Sequence, residues 1–342
     1  MSTAKKCSKW QIFKQNKRAY ISLWLLIIIV CVSFCAPFLA DSKPLVLMYQ
    51  HKLYFPMMQF VSDEMVGGNL PTQAVYTDAL TQEKIKTDGW AVFPIIPYYY
   101  DTVDYFSPNP FPSSPDSRHW LGTDDQGRDV LARLLYALRL SFVFALVLTF
   151  FSALIGIMIG AIQGYFGGRT DLLIGRFLEM WSSLPQLFIL IIVSSLIEPG
   201  FVTLLIVLLL FGWTSLTGVV RAEFLKTRGL DYVKSAKLLG VSDFRIMLRH
   251  ILPNALVATV TYIPFMLAGG IVALSALDFL GLGLPVGTPS LGELIRQGKE
   301  NLSAPWLGLT AFFVMTTVLS LLLFIGEGIR DALDPYQGEI HK

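Results

Sequence analysis

Apolar residues dominate six windows of this chain, at about 20–40, 140–165, 172–197, 202–220, 254–281 and 306–328, with polar segments between them. Each window approaches or exceeds the roughly 20 apolar residues with which a helix crosses about 30 Å of hydrocarbon. The pattern predicts six membrane-spanning helices, and an even count puts both termini on one side. In the second window Gly156, Gly160 and Gly164 recur every fourth residue, a spacing that lets another backbone approach closely. Packing within this one chain is enough to explain them. Pro185 predicts a kink in the third window. Arg176 and Glu179, three apart near one end of that window, predict a local pair or snorkelling at the membrane surface.

The polar segments carry patterns of their own. Residues 41–118 read as a small α+β insertion. LVLMY and LYFPMM form a strand pair around Gln50-His51-Lys52, and a short helix follows, capped by Thr77 or Asp78 and stopped at Gly89. The aromatic, proline-rich stretch WAVFPIIPYYYDTVDYFSPNPFPSSP then predicts extended, packed chain. A second polar segment, DYVKSAKLLGVSDFRIMLRHILPN at 231–254, lies between two strongly apolar windows. In hydrocarbon, each of Asp231, Lys234, Lys237, Asp243, Arg245 and Arg249 costs roughly 2.5 to 3.5 kcal/mol, against about 0.3 to 0.6 gained per Leu or Ile. The segment therefore stays in solvent.

Its pattern predicts two helices. Asp231 caps the first, over 232–239; Gly240 takes the left-handed position that ends it, and Ser242 caps a second running toward Pro253. Val233, Ala236 and Gly240 fall along one side, with Tyr232, Leu238 and Leu239 nearby, so an apolar strip meets small residues as a docking surface would. Basic side chains here equally suit anionic lipid headgroups. On spacing alone both readings stand.

Composition agrees with a membrane protein: 342 residues, 54% hydrophobic and 15% charged, with a mean hydropathy of +0.56. A formal net charge of +2 points to no nucleic-acid partner. The distribution is more informative. Positive charge concentrates in the first 18 residues and from Arg221 to Arg249, which places both on the cytoplasmic side. The window at 20–40 is long enough to span and ends in Phe38-Leu39-Ala40, a poor cleavage site, so it reads as an uncleaved anchor. Cys7, Cys31 and Cys35 suggest neither a disulfide framework nor a metal site.

Several chemistries are excluded by what the motifs lack. There is no GxxxxGK[ST] phosphate loop; the nearest stretch, from Gly292 to Lys299, has five residues between its glycines and ends in Glu300. The chain is thus expected to bind no ATP, and to carry no metal, cofactor or catalytic residue. HExxH and GxSxG are absent, and His51 and His119 read as lone structural histidines, which weighs against a membrane-anchored periplasmic enzyme. A proton-coupled secondary transporter needs ionisable groups inside its spans, and only Glu179 and Asp278 offer themselves, both near helix ends.

Lys234-Ser235-Ala236, three further residues, Gly240 and later Leu252-Pro253 resemble the EAA loop of ATP-binding cassette importer permeases. Lys234 replaces the usual Glu, and Ser235 the first Ala. LGTDDQGRDVLARLLYALRLS, GYFGGRTD, RHILPN, DFLGLGLP, TPSLGELI, SAPWLG and DALDP are similar, in order, to permeases of dipeptide and oligopeptide importers over residues 120–335. WQIFKQNKRAY matches that family's basic start. The long insertion and Asp278, where Ser is usual, look like the Yej branch, associated with microcin C and oligopeptides.

The resemblance implies the type I importer permease fold: an all-α polytopic membrane protein of six helices with the periplasmic α+β insertion after the first. It implies a cytoplasmic helix at 1–19, a first span at 20–40, the insertion at 41–118, a five-helix core at 119–335 and a tail at 336–342, with both termini cytoplasmic in a bacterial inner membrane. Partners implied are a second permease subunit, an ATPase of two domains or a fused pair, a periplasmic peptide-binding protein and the lipid bilayer. The ATPase would grip a coupling loop at about 221–253, through Tyr232, Val233, Lys234, Ser235, Ala236, Leu239, Gly240, Ser242, Arg249 and Pro253. Phe265, Gly269, Gly270 and Asp278 are expected along the translocation path. Another ligand of the same family, a dipeptide, glutathione or nickel, is the alternative cargo.

Overall fold

The computed structural model describes residues 9–105, 109–198 and 200–333. The tail expected at 336–342, the first eight residues with Cys7, and the Asp334-Pro335 end of DALDP lie outside the described residues.

Five helices are long and apolar enough to cross a membrane, or six if one bent pair is a single span. A short helix α1 (Lys9–Gln15) precedes the first of them, α2 (Lys17–Phe34), and one turn, α3 (Ala36–Leu39), follows it. α5 (Val130–Phe166) has 37 residues, about 55 Å at 1.5 Å per residue, so it outruns the hydrocarbon that its apolar window predicted. α6 (Gly168–Ser182) and α7 (Gln186–Leu196) are bent by 66°, with Pro185 at the start of α7. Proline has no backbone N–H and its ring clashes with the preceding turn, so the expected kink is a break. α8 (Phe201–Gly212) runs through Trp213 into α9 (Thr214–Arg228); α10 (Asp231–Leu238) and α11 (Asp243–Arg245) follow, then a wide π turn, Ile246–Ile251, leading into α12 (Leu252–Phe279). α13 (Leu291–Glu300) precedes the last long helix, α14 (Pro305–Leu333).

The chain divides into two compact units. Among the described residues, the first comprises 9–28, 141–285 and 314–333. Its glycines show why small residues recur. A Cβ on Gly156 would lie 2.8 Å from Trp213 O, and one on Gly160 would lie 2.6 Å from Thr217 O. On Gly164 it would meet Arg221 O at 2.6 Å and Phe224 Cβ at 2.5 Å. α5 thus lies backbone-close along α9, inside one chain. Arg221 of α9 then clasps Asp171 of α6 in a bidentate pair at 2.5 and 2.6 Å. Arg176 and Glu179 pair locally at 2.7 Å, both exposed.

The second unit comprises residues 29–140 and 286–313. Its sheet has the order β2-β1-β3, antiparallel throughout, from β1 (Val46–Tyr49), β2 (Lys52–Tyr54) and β3 (Gly89–Val92). Gln50 and His51 make the hairpin turn with φ of 46° and 62°, the left-handed pair that a tight two-residue turn requires. The expected strand pair forms, shorter than read. β3 was not anticipated as a strand: Gly89 ends α4 (Ala79–Asp88), as expected, and starts β3 at once. Asp78 precedes α4 without capping it through its side chain. Leu47 and Tyr49 bury one sheet face against Val61, Val66, Ala74, Tyr76 and Ile85.

Within that core the Tyr76 hydroxyl is buried and, among the described residues, has no hydrogen-bond partner. Burial also pushes its pKa up to about 12, so it remains an O–H donor with nothing to donate to. Tyr76→Phe removes this unmet donor at constant ring volume. Because an unsatisfied buried polar group costs about 1 to 3 kcal/mol, the variant is expected to melt higher than the parent in detergent. A lower melting temperature would contradict that packing.

Buried charge organises the same unit. Arg133, wholly buried, pairs Nη2 with Glu293 Oε2 at 3.2 Å and Nε with Asp124 Oδ2 at 3.5 Å. Its Nη1 donates to Tyr100 O at 3.2 Å and to Gly287 O at 3.3 Å. Arg128 meets the same Asp124 carboxylate at 2.6 and 2.7 Å. These contacts join residues 286–313 to the insertion's unit, whereas the sequence placed them in the core. His119, read as lone, sits between Asp129 at 2.8 Å and Asp104 at 3.2 Å. Burial opposes charge on this ring, but the two carboxylates outweigh it and hold its pKa above the ordinary histidine value.

Candidate functional site

The polar segment after α9 folds into a compact handle. α10 begins after Leu230, which makes no side-chain cap; Asp231 lies in the first turn instead. At its other end Gly240 has φ +75°, Val241 N–H donates to Ala236 O at 3.2 Å and Gly240 N–H to Lys237 O at 3.1 Å. This pair of bonds closes the helix as a Schellman turn, which only glycine enters without strain. Ser242 precedes α11 with its hydroxyl unused in capping.

Val233 and Ala236 do not face solvent. They are buried in a cluster with Tyr165, Phe224, Ile246 and Ile251. Their small size seats α10 on the first unit's own helices, so the strip expected to dock a partner is turned inward at these two positions. The face left outside is carried by Leu238, Leu239 and Phe244, which are 89, 83 and 71% exposed. Gly240 sits at the turn among them. Tyr232 bridges to the base of α12, accepting from Asn254 Nδ2 at 3.0 Å and donating to His250 O at 3.2 Å.

Charges rim this face. Lys234 is 3.6 Å from Asp231 and Lys237 is 3.8 Å from Asp243. The Asp243 carboxylate also accepts the Tyr165 hydroxyl, a link from the handle to α5. Ser235 and Arg249 are exposed, and Pro253 is in the first turn of α12. A rigid, glycine-closed helix presenting large apolar side chains within a charged border has the make-up of a protein interface core and rim.

A cavity of about 300 Å³ lies among the helices of the first unit. Phe265, Gly269 and Gly270 of α12 line it together, with Ser152 of α5, Gln186 of α7 and Tyr262. Gly270 meets Ala145 of α5, where an added Cβ would come within 3.2 Å. Asp278 does not join this lining. It is buried, and its Oδ1 accepts the Leu284 N–H at 2.7 Å across the loop that follows α12. That bond gives Asp278 a role in holding the loop after α12.

Sequence reasoning missed Gln186, Ser152 and Phe244. Gln186 directly follows the helix-breaking Pro185, and a lone polar residue there was the available signal; Phe244 fell outside the motif and carried none.

Comparison with known proteins bears on this geometry. Residues 156–337, more than half of the chain, match the model for the inner membrane component of binding-protein-dependent transport systems. Residues 8–59 match the N-terminal transmembrane domain of oligopeptide transport permease C. The chain is 49% identical over 328 residues to the inner membrane ABC transporter permease protein YejE of Escherichia coli K12, covering 96% of each. It is 48% identical to the peptidoglycan transport system permease protein YejE of Agrobacterium fabrum C58, covering 96% of this chain and 92% of that one. The dipeptide transport system permease protein DppC of Bacillus subtilis 168 is 35% identical, with 65% of this chain and 70% of that one aligned. Among solved structures, the inward-facing MetNI methionine ABC transporter superposes with a TM-score of 0.50 at 17% identity, over 59% of this chain and 96% of that one. That likeness concerns the fold.

Proposed function

Because this chain belongs to the family of inner membrane components of binding-protein-dependent transport systems, we propose that α10 is the handle by which a separate ATPase drives it. The chain is a multi-pass inner membrane permease subunit of an ATP-binding cassette importer for peptides or peptide-like compounds. In this reading it supplies no catalysis. ATP is bound by the partner, both termini lie in the cytoplasm, and a second permease subunit completes the pathway while a periplasmic binding protein delivers the cargo.

The observation that carries the reading is the outward face of Leu238, Leu239 and Phe244 on a helix anchored from behind by Val233 and Ala236. An apolar patch of this kind on a charged segment calls for a protein partner. Lipid headgroups would engage the lysines and leave the leucines in water. With Lys234 at the motif's Glu position, docking rests on shape and apolar burial. Movement of the ATPase pulls α10, and the buried cluster passes that displacement to α9 and α12, the elements that pack against it. ATP then biases the inward-open and outward-open arrangements by binding one of them better. Peptide backbone groups need a polar or wet route through lipid. Gln186 and Tyr262, beside Phe265, Gly269 and Gly270, supply one in this chain's half.

A photo-crosslinker at Leu239, in vesicles holding the assembled importer, is expected to capture the ATPase, with a yield that changes when ATP is added. Peptide uptake driven by ATP without any crosslink from Leu239 or Leu238 would overturn the assignment of the handle.

A further inference from the structure

The insertion holds a groove that the transport cycle above leaves unused. Among the described residues, the order β2-β1-β3 gives β3 a neighbour on one edge only. An unpaired strand edge presents backbone N–H and C=O groups to whatever extended chain approaches it. Between β3 and α4 lies a cavity of about 620 Å³, within the range of small-ligand pockets, roughly 300 to 1,000 Å³.

Gln82, Ile85 and Lys86 line it from α4, at the i, i+3, i+4 spacing of a single helix face. Trp90, Phe93 and Ile95 line it from β3 and the segment beyond. Trp90 and Ile95 keep 46 and 66% of their surface exposed, and Pro94 and Pro97 limit how far their segment can flex. Lys86 is exposed, and among the described residues it has no ion pair or hydrogen bond. The groove thus combines a free strand edge, an apolar wall and a single cation.

We propose that this groove binds the carboxyl-terminal end of a free, extended peptide. The peptide backbone adds to the edge of β3, the mode by which open sheets take up strands. An apolar side chain lies on Trp90 and Ile95, and the terminal carboxylate meets Lys86. A lipid chain would leave both the strand edge and the cation unmatched. The idea rests on the peptide-import reading above and adds a peptide-holding site to the permease itself.

Binding is measured by fluorescence anisotropy on the full chain in detergent, without partners. The probe is an N-terminally fluorescein-labelled alanine tetrapeptide ending in leucine, as the free acid and as the amide. The acid is expected to bind about tenfold tighter than the amide, the scale of one charge-assisted hydrogen bond. Lys86→Glu should remove that preference and leave the amide unchanged; Ile95→Asp, at an exposed position safe for folding, should weaken both. Equal affinity of acid and amide for the parent, no binding at millimolar peptide, or binding indifferent to both substitutions would overturn the proposal. So would a crosslinker at Ile95 that captures a folded partner's internal segment in preference to the peptide. ATP-driven uptake by the assembled importer is followed in parallel: uptake without groove binding sinks the groove alone, and groove binding without uptake sinks the import reading.

Discussion

Replacing Leu238 and Leu239 together by aspartate is expected to uncouple the permease from its ATPase while leaving the chain folded. Both side chains project into solvent, 89 and 83% exposed, so their loss removes little from the fold. Burying a leucine against a partner is worth about 1.5 to 3 kcal/mol. Two of them amount to about 3 to 6 kcal/mol, or roughly two to four orders of magnitude in docking affinity. Placing carboxylates in that contact adds a desolvation cost. Copurification of the ATPase and ATP-driven peptide uptake should both fall to background, while expression and the melting temperature match the parent. Val233→Asp provides the contrast: Val233 is buried behind the helix, so this variant should lose stability as well as coupling. Uptake at the parent rate in the double aspartate variant would remove α10 as the transmission element.

The second large effect concerns Arg133. Removing one partner of a buried ion cluster leaves its opposite charges without a counter-ion, at a cost of about 3 to 5 kcal/mol. Arg133→Met keeps the apolar stem and strips the guanidinium from Glu293, and from the carbonyls of Tyr100 and Gly287. Arg128 still holds Asp124, so the loss should fall near the lower end of that range. Thermal unfolding of the intact chain in detergent reports it, together with faster proteolysis within 286–313, the segment that these contacts tie to the insertion. A second substitution, Glu293→Gln, should recover part of the loss, because without Arg133 the Glu293 carboxylate keeps, among the described residues, only a 3.7 Å contact with Arg128 as its ion pair. Arg133→Met melting within a degree of the parent would show that water fills the cluster and that the network does not join these segments.

Which segments form long apolar helices, and where the polar segment after α9 turns, were legible in the sequence. Hydropathy is additive along a helix, so the apolar windows did not depend on knowing any neighbour, and a left-handed residue after α10 favours glycine for local steric reasons. The hairpin at Gln50-His51 and a bend at Pro185 were legible on the same grounds, since each is set by a few adjacent dihedrals; that the bend is a full break between α6 and α7 was not.

Tertiary structure decided which side of α10 faces outward. Spacing placed Val233, Ala236 and Gly240 on one stripe but could not say that Tyr165, Phe224 and Ile251 cover its first two members, because those residues are far away in the chain. It likewise decided that Asp278 serves its own loop, that His119 lies between two carboxylates, that Arg133 reaches Glu293 across 160 positions, and that β3 is left with an open edge beside a cavity. Periodicity reports what a segment would bury; the identity of the burying partner, and the charge that answers a charge, belong to contacts between segments, which no local pattern encodes.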